Sequence, residues 1–292
     1  MTSMAPVGTA SEGLTDANFE RFREYFYLQT GIQFGPTKRY FVDKRVEACI
    51  RASGEDGFLA WFASVRMGTR PELLEQMVNR FTVNETYFLR EDYQFDDLLT
   101  SVLPEVAAAH ARTGAPIRIL SMPCSTGEEP YSIALRLLAE WTLIDEVDVQ
   151  IHAADIDSDA LAHARRGTFG ARSMLKVPPA TRRRFFSSVG DNSWQISEDI
   201  RSAVEFRHVN VCDTQQMRTL ADFDVIFCRN MLIYFDELSS RRAAENLYGA
   251  LRPGGYLFLG HSESMSRISP IFTPRRLAAG LVYRRPVSGE TS

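Results

Sequence analysis

From Pro116 onward, short apolar runs alternate with amphipathic ones, and that alternation restricts the fold more than any other feature of the chain. IRILSM, VDVQIHAAD, VEFRHVNV, FDVIFCRN and GYLFLGHS are nearly continuous in apolar residues, whereas PYSIALRLLAEW, DSDALAHARRG and SSRRAAENLYGAL carry theirs at helical spacing. A strand without polar alternation must be covered on both faces. Such strands joined by helices form a parallel sheet between two helical layers, so the expected fold class is α/β. The last run, GLVYRR after IFTPRRLAA, reads as a returning antiparallel strand at the sheet edge.

The preceding residues follow a different period. In LTDANFERFREYFYLQTGI, Phe19, Phe22 and Phe26 fall on one helical face, with Thr15 placed to cap the N-terminus and Gly31 the C-terminus. PTKRYFVDKRVEACIRAS follows as a second helix opened by Pro36, with GFLAWFASVRMG and PELLEQMVNRFT as a third and a fourth. The organisation expected is a disordered N-terminus over residues 1–13, a helical domain over 14–95 and a second domain over 96–292. Residues 168–203, with Pro178, Pro179 and the polar stretch VGDNS, are too long for a simple connection and predict a small inserted subdomain.

Residues 117–130, IRILSMPCSTGEEP, carry the first chemical signal: an apolar strand, a turn containing Gly127, and a helix start. The next strand ends on Asp155, placed to accept hydrogen bonds from two ribose hydroxyls. A dinucleotide site would need GxGxxG here, and a Walker loop a closing Gly-Lys-Ser/Thr; both are absent, and Glu128 and Glu129 would repel a pyrophosphate. A cationic adenosine compound free of phosphate fits better, and S-adenosylmethionine offers a sulfonium, an ammonium and a ribose. The blander alternative, a helix start whose glutamates answer the helix dipole, accounts for the acids but not for Asp155.

Composition removes other classes. A net charge of -4 and a pI near 5.8 oppose bulk binding to nucleic acid or anionic lipid. Cys49, Cys124, Cys212 and Cys228 are scattered, with no CxxC and no histidine at zinc-ligand spacing, so neither disulfides nor a metal site is indicated and the cytoplasm is the expected compartment. MTSMAPVGTASEG has no signal-peptide pattern, and no apolar run is long enough to span a membrane.

Five segments in order, FTVNETYFLRE, CSTGEEPYSIA, ADIDSDALAHAR, FDVIFCRNMLIYFD and LRPGGYLFLGHSES, resemble those of the CheR-type chemotaxis protein methyltransferases, and the likeness covers nearly the whole chain. The resemblance implies an all-helical N-terminal domain, a Rossmann-like S-adenosylmethionine-dependent methyltransferase sheet and a small inserted β-subdomain. It also implies methylation of glutamate side chains on chemoreceptors. Asn84, Thr86 and Arg90 match the family's Asn-x-Thr-x-x-x-Arg and are expected to contact the cofactor, Arg90 holding the methionine carboxylate or lying beside the sulfonium. Glu128 matches the family's cofactor glutamate and Asp155 its ribose acid. Asn210 and Val211 are expected to flank the adenine, and Arg229 with Asn230 to close the pocket. Glu129 reads as dressing of the helix start, His261 as structural, and Cys124 and Cys228 as small core hydrophobes.

A glutamate acceptor is already ionised near neutral pH, so alignment and exclusion of water carry the reaction and no general base is required. Arg229 and Tyr234 are expected to orient the acceptor carboxylate. An acidic partner suits Lys38, Arg39, Lys44, Arg45 and Arg51 of the second helix, a region that in the family meets the receptor's methylation helices. RRFFSSVGDNSWQISED has a short single-glycine turn where members that tether a receptor's C-terminal peptide have a longer glycine-rich loop; a tether-independent monomer is expected. The competing reading is a catalytically idle S-adenosylmethionine-binding regulator or scaffold.

Overall fold

A computed structural model describes residues 14–287, so the disorder expected over 1–13 lies outside the described residues. The chain divides into two compact units after Phe81, earlier than the break expected at residue 95. Packing explains the difference: Phe88, Leu89 and Phe95 are buried in the core of the second unit, and Thr82 Oγ1 donates to Asp157 Oδ2 there.

The first unit consists of helices α1 (Asp16–Thr30), α2 (Arg39–Ser53), α3 (Phe58–Met67) and α4 (Pro71–Phe81). Thr15 Oγ1 accepts the N–H of Asn18, and Gly31 ends α1 with a left-handed φ of 77°. Pro36 opens a single 3-10 turn, Pro36–Lys38, that runs into α2. Phe22 and Phe26 are fully buried among Trp61, Met77 and Phe81, and each such ring contributes about 1.5–3 kcal/mol over its exposed state.

The second unit opens with α5 (Tyr93–Asp97), a π-helical turn (Leu98–Val102) and α6 (Leu103–His110). Then follow β1 (Ile117–Ser121), α7 (Glu128–Glu140), β2 (Val149–Asp155), α8 (Ser158–Arg166), β3 (Thr168–Gly170), α9 (Pro179–Phe185), β4 (Phe186–Gly190), β5 (Ser193–Ile196) and α10 (Glu198–Ser202). The chain closes with β6 (Val204–His208), α11 (Thr214–Met217), β7 (Phe223–Cys228), α12 (Glu237–Ala250), β8 (Leu251–Leu259), β9 (Thr273–Arg276) and β10 (Leu281–Arg284).

Among the described residues the main sheet has seven strands in the order β6-β2-β1-β7-β8-β10-β9. Its first five strands in that order pair in parallel, and β10 returns antiparallel to β8. GLVYRR is therefore not at the edge as expected; β9 is, and its Pro274, which lacks an N–H for a further ladder, suits that place. Separate buried clusters, one containing Ile119, Ile133 and Phe227, the other Leu120, Ile226 and Leu247, cover the two faces. That arrangement is what the uninterrupted apolar strands demand. A three-stranded antiparallel sheet, β3-β5-β4, with α9 and α10, forms the insertion.

The strand order positions the site. From β1 the chain steps outward to β2 and β6, then crosses to β7 on the other side of β1. The loops after β1 and β7 consequently leave the sheet in opposite directions and open a crevice, the place where parallel α/β sheets bind ligands.

Candidate active site

A cleft at this crevice encloses about 500 Å³, open solvent at its mouth included. Pro123, Cys124 and Ser125 line it from the loop after β1, Glu129 and Ser132 from α7, and Arg229 and Asn230 from the loop after β7. Thr86, Tyr87 and Arg90 close it from the segment that precedes α5.

Backbone strain concentrates around the cleft. Among the described residues, six non-glycine positions have left-handed φ, and four of them are Leu89 (58°), Glu91 (53°), Ser125 (49°) and Asn230 (57°). Such conformations cost about 1–3 kcal/mol each, so surrounding contacts must hold them. For Ser125 that contact is its N–H, which donates to Asp155 Oδ2 at 2.7 Å. For Asn230 it is an N–H donated to Glu263 Oε2 at 2.8 Å.

Gly127 has a different purpose from the one a ligand turn suggests. Its φ is 98°, and an added Cβ would lie 2.8 Å from Ala164 Cβ on α8. The glycine lets α7 and α8 approach each other.

Of the two adjacent glutamates, the structure brings Glu129 to the cleft and takes Glu128 away, which corrects the expectation for both. Glu128 is 2% exposed; its carboxylate accepts from Thr126 Oγ1 at 2.6 Å and from Ser173 Oγ at 2.7 Å. Glu129 accepts from Ser121 Oγ at 2.8 Å and from Arg229 Nη1 at 3.1 Å. Burial raises the Glu129 carboxyl above the usual range, against the pull of Arg229.

Arg229 is 5% exposed and ties three segments together. Besides Glu129, it lies 3.5 Å from Glu91 Oε2 and donates through Nη2 to the carbonyl of Arg90 at 2.5 Å. Its Nε is buried with no partner among the described residues. Glu91 in turn accepts from the backbone N–H of His261 at 3.2 Å and contacts that ring's Nδ1 at 2.9 Å. Burial works to raise the Glu91 carboxyl, but the bond to His261 and the charge on Arg229 prevail and hold it below its ordinary value.

Of the other expected residues, Thr86, Arg90 and Asn230 line the cleft, and Asn84, Asp155, Asn210, Val211 and Tyr234 lie outside its lining. Asp155 stands behind Ser125, its second oxygen accepting the Asp157 N–H at 2.9 Å; burial outweighs these amides and lifts its pKa to about 6. Asn84 reaches the same loop, accepting from Ser125 Oγ at 3.0 Å and donating to Asp157 Oδ2 at 2.6 Å. Arg90 donates to the Glu85 carbonyl at 2.9 Å, 5.9 Å from the Tyr87 ring centroid. Asn210 and Val211 follow β6, the strand beside β2; Asn210 Oδ1 accepts the Cys212 N–H, and the Val211 carbonyl accepts from Asn246. Tyr234 is 39% exposed, and burial of the remainder keeps its hydroxyl protonated to higher pH than usual, against the nearby Arg90 charge.

In the first unit, the expected basic face is partly spent. Arg39 pairs with Asp43 and Asp16, and Arg45 donates to the Arg80 carbonyl with its guanidinium 3.6 Å from the Phe41 centroid. Lys38 and Lys44 remain exposed.

Sequence reasoning missed Glu91 and Glu263. Glu91 stands beside Asp92 in a polar stretch and Glu263 alone among serines, and only tertiary packing shows that each accepts backbone N–H groups.

The residues present fit the cofactor read from the sequence: a cation in Arg90, an acid in Glu129, and a buried acid in Asp155 beside the loop that forms one wall. Family descriptions agree, with "CheR methyltransferase, SAM binding domain" matching residues 84–279 and "CheR methyltransferase, all-alpha domain" residues 17–82. The chain is 46% identical to chemotaxis protein methyltransferase 2 of Vibrio cholerae, over 95% of this chain and 96% of that protein. It is 34% identical to chemotaxis protein methyltransferase 1 of Pseudomonas aeruginosa, over 92% and 98% respectively. The chain therefore belongs to the CheR methyltransferase family and takes S-adenosylmethionine as its cofactor.

Proposed function

We propose that this chain, a monomer in the cytoplasm, methylates glutamate side chains on the cytoplasmic helices of chemoreceptors, forming methyl esters. One observation carries the choice of acceptor. The carboxylates that line the cleft, Glu85 and Glu129, pair with Arg172 and Arg229, and Glu91 behind them pairs with Arg229 and His261, so none is placed to take a proton from an incoming nucleophile. An amine acceptor would need such a base; a glutamate arrives already ionised. The chemotaxis methyltransferases that the chain resembles over nearly its full length support the same reading.

When bound, S-adenosylmethionine supplies a methyl group on a positively charged sulfonium. Asp155 accepts hydrogen bonds from the ribose hydroxyls, Glu129 faces the cationic end, and Asn210 and Val211 flank the adenine. Asn84 and Thr86 hold the adjoining loop and wall, and Arg90 grips a carboxylate. Arg229 and Asn230 shape the β7 side, and Tyr234, at the rim, donates to the acceptor carboxylate and steadies it for in-line attack. Catalysis by this chain is then orientation in a water-poor cleft. Lys38 and Lys44, with Arg39 and Arg45 held close to the helix surface, meet the acidic receptor. The short β4–β5 turn leaves docking independent of a peptide tether.

The test is incubation with methyl-labelled S-adenosylmethionine and a receptor cytoplasmic fragment. Label that mild base releases as methanol supports the reading; cofactor binding without transfer marks an idle binding protein instead.

A further inference from the structure

Glu263, outside every residue so far given a role in the reaction, has its carboxylate pointed into backbone. Oε2 accepts the N–H of Asn230 at 2.8 Å and of Gly260 at 2.9 Å, and Oε1 accepts the N–H of Leu232 at 2.8 Å. The N–H of Met231 also donates to it. Three consecutive amides after β7 thus converge on one side chain from the loop after β8. Such a carboxylate replaces the partners that these N–H groups would otherwise seek in water, and charge-assisted bonds of this kind are roughly twice as strong as neutral ones.

The turn it grips continues into a 3-10 turn closed by the N–H groups of Tyr234 and Phe235 on the carbonyls of Met231 and Leu232, so the carboxylate holds its first residues. Asn230 sits at a φ of 57°, a left-handed conformation uncommon outside glycine that asparagine tolerates better than most residues, and the residue lines the cleft. Tyr234, which feels the charges of the lining residues Arg90 and Glu85, ends the 3-10 turn that follows. Gly260 is part of the device, because an added Cβ would come 2.7 Å from Asn230 Nδ2 and 2.9 Å from Glu263 Oε2. A glycine there lets carboxylate and turn close on each other.

We infer that Glu263 is a positioning residue for methyl transfer: by clasping the amides of Asn230–Leu232 it sets the β7 wall of the cleft and the approach of Tyr234. The inference rests on the proposed reading for the acceptor, but not for the cofactor. Burial lifts the carboxyl above its usual range even against these donors, in keeping with a group committed to backbone rather than to solvent.

The test uses Glu263→Gln, which keeps the shape but turns donors toward donors, and Gly260→Ala, which pushes the clasp apart from the opposite side without changing charge. S-adenosylhomocysteine affinity by calorimetry and kcat and KM on a receptor fragment are measured at a temperature where melting curves show each variant folded. Since a misplacement of about 1 Å can cost roughly a hundredfold in rate, each variant should lose about 10- to 100-fold in kcat with KM for the receptor little changed, and bind S-adenosylhomocysteine more weakly. The double variant should be no worse than the worse single one, because both loosen the same contact. Wild-type affinity and kcat in either folded single variant, or losses that multiply, would overturn the inference. If the wild-type protein methylates no receptor fragment, the acceptor reading fails, and S-adenosylhomocysteine affinity alone decides the role of Glu263.

Discussion

Arg229 Nη1 donates to Glu129 Oε2 at 3.1 Å, joining the end of β7 to the first turn of α7 across the cleft. With Glu91 at 3.5 Å on its other side, the guanidinium neutralises two carboxylates that burial would otherwise penalise. Arg229→Met should therefore destabilise the protein by about 3–5 kcal/mol, the cost of stranding buried charge. Urea denaturation measures it, and a loss below about 1 kcal/mol would mean the pair is solvated like a surface bridge.

The raised pKa of Asp155 gives two pH effects of opposite sign. Its folded value, about 6 against an ordinary 3.8, means that the folded state holds the proton more tightly than the unfolded chain. That contribution to stability is present at low pH and is lost as pH rises through about 6. In the proposed binding mode ribose hydroxyls donate to the ionised form, so cofactor affinity should move the other way and fall as pH drops through the same value. Calorimetry of S-adenosylhomocysteine binding from pH 8 to 5 should show the decline in the wild type and a flatter profile in Asp155→Asn.

Glu129→Gln should weaken S-adenosylhomocysteine binding by roughly tenfold, the equivalent of about 1.4 kcal/mol, because the cleft loses the anion proposed to face the cofactor's cationic end. Glu128→Gln should alter affinity far less and show itself in stability, since its partners are Thr126 and Ser173. Comparing the two dissociation constants with the two melting curves separates the roles.

On α2, charge reversal should divide the basic residues. Arg39→Glu sets an acid against Asp43 and Asp16 and should lower the melting temperature of the protein. Lys44→Glu, at an exposed position 4.4 Å from the Tyr40 centroid, should leave the fold intact and raise KM for an acidic receptor fragment in a salt-sensitive way. An unchanged KM for Lys44→Glu and Lys38→Glu together would remove α2 from the docking surface.

Periodicity made the parallel sheet and the helical unit legible, since continuous apolar strands and the Phe19–Phe22–Phe26 spacing each admit one arrangement. It left out residues 93–110, where Pro104 breaks the helical pattern; the structure absorbs it behind a π turn, at the first turn of α6. Domain limits depended on where Phe88, Leu89 and Phe95 pack, which their own sequence does not tell. The place of Asp155 at the end of β2 was legible from the apolar run that precedes it. Glu128 and Glu129 were not separable, because neighbours on a helix point about 100° apart and only the position of α8 and β7 decides which one faces the cleft. Gly127 drew attention as a ligand turn, whereas its contact with Ala164 makes it a helix-packing residue.

The most direct test of the account is mass-spectrometric mapping of a receptor cytoplasmic fragment after incubation with this protein and S-adenosylmethionine. The expected result is added methyl groups on glutamate side chains, removed by mild base and absent with the Arg90→Ala variant. Base-stable methylation on lysine, arginine or an amide, or no modification of a receptor fragment despite tight cofactor binding, would contradict it.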